Sequence, residues 1–333
     1  MDDRPGAYAR AISGVVPALI LATMLAGCSA GGGPRANTGS NAVLPAPGAP
    51  GVKVHAASMP TGPTIRVMPD GSVIHIDLPP WERPMSGPHT SPVQYHGGSV
   101  IDQSMMYAIF WQPPGFYMSP KYIPTIERFF NDVGAGTRQY QILTQYSDTD
   151  GHPLNASSLG GAWTDTSKFP AHMNDGTVRA EVLKAIQANG WPTGGYQPIF
   201  VVFTASKAKV NFALCAYHGN FSNNSQEIAY SIVPYQHDVG PMGCGTPTNK
   251  WPNDRDADQT IDTLWHEEAE AISDPVMAWW RDSDGSEIGD ICQTTYAPRG
   301  PDGGNTTLNG HRYITQELQS NLDGRCKQQE PKS

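Results

Sequence analysis

Ser104-Met105-Met106-Tyr107-Ala108-Ile109-Phe110-Trp111 is a continuous apolar run, eight residues long and rich in aromatic side chains. Its length and composition predict a buried strand rather than a helix. Gln197-Pro198-Ile199-Phe200-Val201-Val202-Phe203-Thr204 has the same character, and Ile228 to Val233 makes a third such strand. Helical patterns lie between and after them. Pro120 to about Val133, with Ser119 as cap, sets Ile123, Ile126, Phe129 and Phe130 on one face. A second helix opens at Asp175 or Thr177, runs through Val178, Val182, Leu183 and Ile186, and stops at Asn189-Gly190. Asp256 to Ile272 forms a third. Strands alternating with helices define an α/β or α+β class, a single main domain with a mixed sheet flanked by helices. There is no internal repeat.

Upstream of that domain the composition changes. Thr64 to Met68 and Ser72 to Leu78 are two alternating runs around Pro69-Asp70-Gly71, which predicts a β-hairpin. A Pro-rich connector follows to Pro92, so residues 64–92 are expected to stand apart from a main domain spanning 93–328. Residues 29–63, rich in Gly, Pro, Ala and Ser, cannot bury a core and read as a flexible tether. Residues 1–28 have the pattern of a lipoprotein signal peptide. Arg4 and Arg10 precede an apolar stretch too short to span a membrane comfortably, which ends in Leu25-Ala26-Gly27-Cys28. Lipidation at Cys28 would anchor an exported chain to the bacterial cell envelope, facing outside the cytoplasm.

Of five cysteines, Cys28 is thus assigned to lipid and four remain. An even set in an exported chain implies two disulfides. Three pairings exist; Cys215–Cys244 and Cys292–Cys326 are favoured because each closes a modest local loop. There is no Cys-x-x-Cys pair for a zinc knuckle. The net charge of -9 argues against nucleic acid as a partner and suits a cation.

The chemistry concentrates between His266 and Asp290. His266-Glu267-Glu268-Ala269-Glu270 lies within the third helix, and His266 and Glu270, four apart, project from one face. Glu267 stands where the base of a His-Glu-x-x-His zinc peptidase stands, with Glu270 in place of the second histidine. A carboxylate binds Zn²⁺ at about the same distance as an imidazole, so a zincin-like arrangement is compatible with the change. Ile261, Trp265, Ala269 and Ile272 form an apolar stripe, which sets His266 and Glu270 beside it at the core edge. Asp274-Pro275 ends the helix. The loop Asp282-Ser283-Asp284-Gly285-Ser286-Glu287-Ile288-Gly289-Asp290 then returns further oxygen donors. Glu287, Asp290 and Asp274 are the candidates for a third ligand. The Asp-x-Asp-Gly portion of the same loop is a candidate calcium site, although it lacks EF-hand spacing.

Several blocks resemble the phosphate-induced protein 1 (exordium-like) family and its bacterial relatives. They are Tyr95-His96-Gly97-Gly98, Ile142-Leu143-Thr144-Gln145-Tyr146 and Cys215-Ala216-Tyr217-His218-Gly219, followed by His266-Glu267 with Glu270-Ala271-Ile272-Ser273-Asp274-Pro275. Glu287-Ile288-Gly289-Asp290-Ile291-Cys292 and Tyr313-Ile314-Thr315-Gln316-Glu317 with Cys326 complete the set, which spans Tyr95 to Cys326. The resemblance implies an extracellular protein; plant members are linked to growth and cell-wall signalling.

Two functions fit these residues. One is a zinc-dependent hydrolase, peptidase-like, with His266, Glu270 and one of Glu287, Asp290 or Asp274 on the metal and Glu267 as general base. The other is a non-enzymatic extracellular module with a structural Ca²⁺ or Zn²⁺ or none, in which Trp163, Trp191, Trp251, Trp279 and Trp280 could stack on cell-wall glycan or a partner. His218 is expected to be a hydrogen-bonded structural histidine; His96 and His237 sit in turns.

Overall fold

The computed structural model describes residues 64–79, 92–134, 136–210, 214–239, 244, 246, 248–276, 278–280 and 285–330. The expected signal peptide (residues 1–28, with Cys28), the expected tether (29–63) and Asp282 to Asp284 of the expected calcium loop lie outside the described residues.

Seven strands form one mixed sheet: β1 (Ile65–Val67), β2 (Val73–Asp77), β3 (Ser104–Trp111), β4 (Ser157–Asp165), β5 (Pro198–Thr204), β6 (Ala216–Asn223) and β7 (Gln226–Val233). Their spatial order is β1-β2-β6-β7-β5-β3-β4. The strands β4, β3, β5 and β7 run parallel to their neighbours, whereas β7–β6, β6–β2 and β2–β1 are antiparallel. The predicted class is therefore the observed one, with three helices, α1 (Tyr122–Val133), α2 (Asp175–Asn189) and α3 (Arg255–Ser273), covering the sheet.

The central strands are apolar throughout because both faces are covered. Met106, Ala108 and Phe110 of β3 and Ile199, Val201 and Phe203 of β5 pack with Ile126, Phe129 and Phe130 of α1 and with Ile261, Leu264 and Trp265 of α3. The alternate residues Tyr107, Ile109, Trp111, Phe200 and Val202 pack on the opposite face with Val178, Val182 and Ala185 of α2. Each fully buried Val, Leu, Ile, Met or Phe among them contributes about 1.5–3 kcal/mol.

The hairpin expected to stand apart from the main domain is part of its sheet; most of the Pro-rich connector, residues 80–91, lies outside the described residues. The hairpin does form around its predicted turn, with Gly71 at φ 84°, but β2 also pairs with β6, setting Ile74 opposite Gly219 and His75 opposite His218. The domain therefore begins with the hairpin. Ile74 and Ile76 are needed for the α2-side core, so they dock the strand. Ser119 is not the cap of α1; its hydroxyl donates to Asp254 at 2.7 Å, and the helix starts at Tyr122. The second helix behaves as expected, capped by Asn174 and closed by Gly190 in the left-handed region.

Helix α3 is buried from Ala257 to Ser273. Asp254 caps it, accepting from the Ala257 N–H at 3.1 Å, and Asp256 and Asp258 meet the positive end of its dipole. Pro275 ends it, since the residue before a proline is pushed out of helical geometry.

Both expected disulfides, Cys215–Cys244 and Cys292–Cys326, are formed, which places the folded chain in an oxidising compartment. Among the described residues no helix is long and apolar enough to cross a membrane. The second disulfide closes 34 residues of a segment made mostly of short two-stranded ribbons and turns. Replacing Cys292 and Cys326 together by serine should lower the unfolding free energy by about 3 kcal/mol. A denaturant midpoint equal to that of the parent would show that the C-terminal segment does not depend on this link.

Candidate metal centre

Strand alternation builds one wall of the site. With Ile74 and Ile76 committed to the α2 side, His75 and Asp77 point the other way, toward α3. On β6, Tyr217 joins the α2-side core, so His218 also faces α3. His75 and His218 are a directly opposed cross-strand pair, and their rings stack at 4.9 Å with planes 13° apart.

Helix α3 builds the second wall with His266, Glu267 and Glu270, and the segment Glu287 to Asp290 closes the third. Glu270 joins the last two. Its Oε1 accepts from the backbone N–H groups of Gly289 at 2.9 Å and Asp290 at 3.0 Å, so one carboxylate oxygen holds the returning loop. Its Oε2 faces His266 Nε2 at 3.0 Å and His218 Nδ1 at 3.9 Å. Asp290 Oδ1 lies 3.8 Å from His266 Nε2. Glu287 spans the two strand histidines, with Oε2 at 2.6 Å from His75 Nδ1 and Oε1 at 3.6 Å from His218 Nε2.

Surrounding groups orient the imidazoles. Gln316 Nε2 donates to the Gly289 carbonyl at 2.8 Å, which leaves its Oε1 facing His266 Nδ1 at 3.3 Å. That oxygen only accepts, so Nδ1 carries the proton and, in the neutral ring, Nε2 keeps its lone pair for the cluster. Glu267 Oε2 does the same for His218, 3.0 Å from Nδ1. The Gln293 side-chain amide donates to Asp77.

Three imidazoles and five carboxylates are thus gathered in four overlapping groups: His75/His218/Glu287, Asp77/His266/Asp290, His218/Glu267/Glu270 and Glu270/Glu287/Asp290. Within each, one ligand atom per residue lies within 4.8 Å of the others. All eight residues are buried except Asp290, whose side chain is 9% exposed. His75 Nδ1, His218 Nε2, His266 Nε2, Glu267 Oε1 and Glu287 Oε1 make no hydrogen bond. Buried polar atoms left so are costly and rare. Several close pairs here, such as His75 Nδ1 with Glu287, approach without hydrogen-bond alignment, as donors do when aimed at a shared point rather than at one another.

Burial sets the protonation. It pushes His75 down to about 4 and His218 to about 3, so both are neutral ligands-in-waiting at neutral pH. Burial pushes Glu267 well above the carboxylate range, and it does the same to Glu287, with the charge of Glu270 adding to the effect. Burial opposes charge on His266 and Glu270 as well, but each stabilises the other: His266 is held well above its ordinary value, and Glu270 is brought down to about 2.

The structure brings together His266, Glu270, Glu287 and Asp290 of the expected ligands, with Glu267 among them. Asp274 is in none of the four groups: its Oδ1 accepts from the Ala278 N–H and closes the turn after α3, while the buried carboxyl also lies against Glu287. His266 and Glu270 are inside the core rather than at its edge, since the whole helix is covered. His218 belongs to the cluster itself, and His75 and Asp77 are additions that sequence reasoning missed. Their signal was available: two ionisable residues on the inward face of an alternating strand. The tryptophans mostly pack within the fold. Trp191 lies against Tyr107 and Phe200, Trp279 against Tyr95 and Tyr146, Trp163 joins the α2-side core, and Trp280 pairs through its backbone with Gln94. Trp251 is half-buried.

Comparison of the chain with known protein families, with curated proteins and with solved structures finds no match.

Gly289 is a tight point. A Cβ there would come within 2.8 Å of both Glu270 Oε1 and His266 Nδ1. Gly289→Ala should therefore displace the ligand walls and weaken metal binding at least tenfold while the far sheet stays intact; calorimetric titration with Zn²⁺ measures this, and parent-like affinity would refute it.

Glu268, on the same helix, faces away from the cluster and accepts from the Tyr140 hydroxyl. Burial pushes its pKa from 4.5 up to about 8. The unfolded chain therefore loses this proton first, and the group's contribution to stability declines as pH rises from 4.5 through about 8. Glu268→Gln should flatten that decline, so that between about pH 5 and about pH 8 the variant loses less stability than the parent in urea unfolding. Parallel curves would place the carboxyl's titration elsewhere.

Proposed function

We propose that this protein is a metal-dependent, peptidase-like hydrolase of the bacterial cell envelope, tethered through lipidated Cys28. The observation that carries the metal reading is the convergence of three buried histidines and five carboxylates with ligand atoms that make no hydrogen bond. The donor set favours Zn²⁺ over Ca²⁺. Calcium takes oxygen ligands, whereas imidazole suits zinc and related ions. Structural zinc sites lean on cysteine thiolates, and sets of histidine and carboxylate are those of catalytic zinc.

A divalent cation supplies Lewis acidity, which makes water a usable nucleophile near neutral pH. Glu267 holds His218 with one oxygen and has the other free of hydrogen bonds; burial favours its neutral form, so it would take a proton there only with a bound cation to offset that burial. His266 and Glu270 remain the primary ligands of this reading, with Glu287 and Asp290 beside them.

Burial favours a second reading. Catalytic zinc keeps a position open to substrate, and seven of the eight candidate ligands are below 5% exposed. A closed centre of this kind fits a non-enzymatic exported module, binding a partner or cell-wall glycan, whose cation ties the hairpin, α3 and the C-terminal loop together.

Metal content and activity separate these. The purified protein should retain Zn²⁺ through chelator-free gel filtration, and Glu270→Ala should lose it. No metal in either protein would remove the metal reading altogether; equal metal in the two would remove Glu270 as a ligand and with it the hydrolase as stated. Glu267→Ala should keep at least one ion and cleave peptide substrates at least a hundredfold more slowly than the parent. Metal without cleavage by the parent on a broad peptide library leaves the structural module as the function.

A further inference from the structure

We propose that the cluster is a dinuclear centre, with one divalent cation between His75, His218 and Glu287 and a second between Asp77, His266 and Asp290, joined by Glu270. This rests on the metal reading above and goes beyond it.

The two outer groups share no residue, and each already offers imidazole nitrogen and carboxylate oxygen within 4.8 Å. One comes from strands β2 and β6 with Glu287. The other takes one residue from β2, one from α3 and one from the end of the returning loop. Glu270 is the residue with a place between them. Its Oε2 faces His266 Nε2 of the second group at 3.0 Å, and its carboxylate forms a group of its own with Glu287 of the first and Asp290 of the second. A carboxylate so placed is a bridge.

Ligand number and charge agree. Eight donor residues exceed what one zinc ion uses, since zinc in proteins is mostly four-coordinate. Ionised on metal binding, the four carboxylates of the two groups and the bridge carry four negative charges; two divalent cations balance them, and one would leave two uncompensated in the core. Buried charge of that size is not tolerated unless paired or ligated. The unpartnered ring nitrogens divide in the same way. His75 Nδ1 and His218 Nε2 belong to the first group and His266 Nε2 to the second, and each of these side chains is at least 95% buried. Two-metal sites with ions about 3.5–4 Å apart are a recurrent arrangement for hydrolysis, because the pair stabilises both the attacking and the leaving oxygen.

The test is stoichiometry. Purified, disulfide-bonded protein is stripped with chelator, titrated with Zn²⁺, and its bound metal measured after gel filtration. Two ions per chain are expected, and His75→Ala and Asp77→Asn should each retain one. One ion per chain in the parent would overturn the dinuclear centre while leaving a metal site; no ion would overturn both. Two ions retained in His75→Ala would also overturn it. Mn²⁺ loading of the parent gives a readout that needs no variant to fold. A bridged pair shows the exchange-coupled electron paramagnetic resonance signal of two interacting ions, and a spectrum of isolated Mn²⁺ alone would refute the bridge.

Discussion

Ionisable side chains buried at high density are the constraint around which this molecule is arranged. Charge inside a protein costs several kcal/mol per group even after relaxation, so it persists only where each group has a partner. Helix α3 carries Asp258, Asp262, His266, Glu267, Glu268 and Glu270, all buried. Each must be met by something, and the fold supplies it. Asp258 takes Asn253, Asp262 takes Thr246 and Tyr296, Glu268 takes Tyr140, and Glu270 takes two backbone N–H groups. Strands β2 and β6 and the loop at Glu287 to Asp290 are positioned by the same demand, since they face the helix at the point where its charge is greatest.

The fold was legible where composition reports burial directly. Residues 104–111 form β3, the run starting at Gln197 gives β5 from Pro198, and the helix ending at Asn189-Gly190 ends there, because apolar runs and a left-handed glycine are local signals. β4 was missed for a physical reason. Gly160 and Gly161 interrupt any strand pattern there, and they are small because Tyr107 and Trp191 lie on them: a Cβ would come within 2.4 Å of Tyr107 and 2.8 Å of Trp191. Their smallness is a packing requirement set by residues far away in sequence, and no local pattern shows it.

The site was legible in part for a related reason. His266, Glu270, Glu287 and Asp290 lie close in sequence, so their spacing alone marked them. His75 and Asp77 sit about 190 residues earlier, in a hairpin whose proline-rich surroundings argued for a separate segment. Only the pairing of β2 with β6 shows that this strand belongs to the sheet. His218 had been weighed as a structural histidine, and it does accept that role toward Glu267, but the stack with His75 makes it part of the cluster too.

The cluster draws on residues from His75 to Asp290, and Gln316 is needed to orient His266. No early portion of the chain contains the whole set. If the chain folds in an oxidising compartment outside the cytoplasm, in keeping with its two disulfides, the site comes into existence only there, after the hairpin has docked and the C-terminal segment has closed. Any ion it holds is then acquired there, from the supply of that compartment rather than from the cytoplasm. The order of metal affinities favours copper and zinc over manganese and iron for such donors. The identity of the resident cation would then be a record of which ions that compartment offers at the moment of folding.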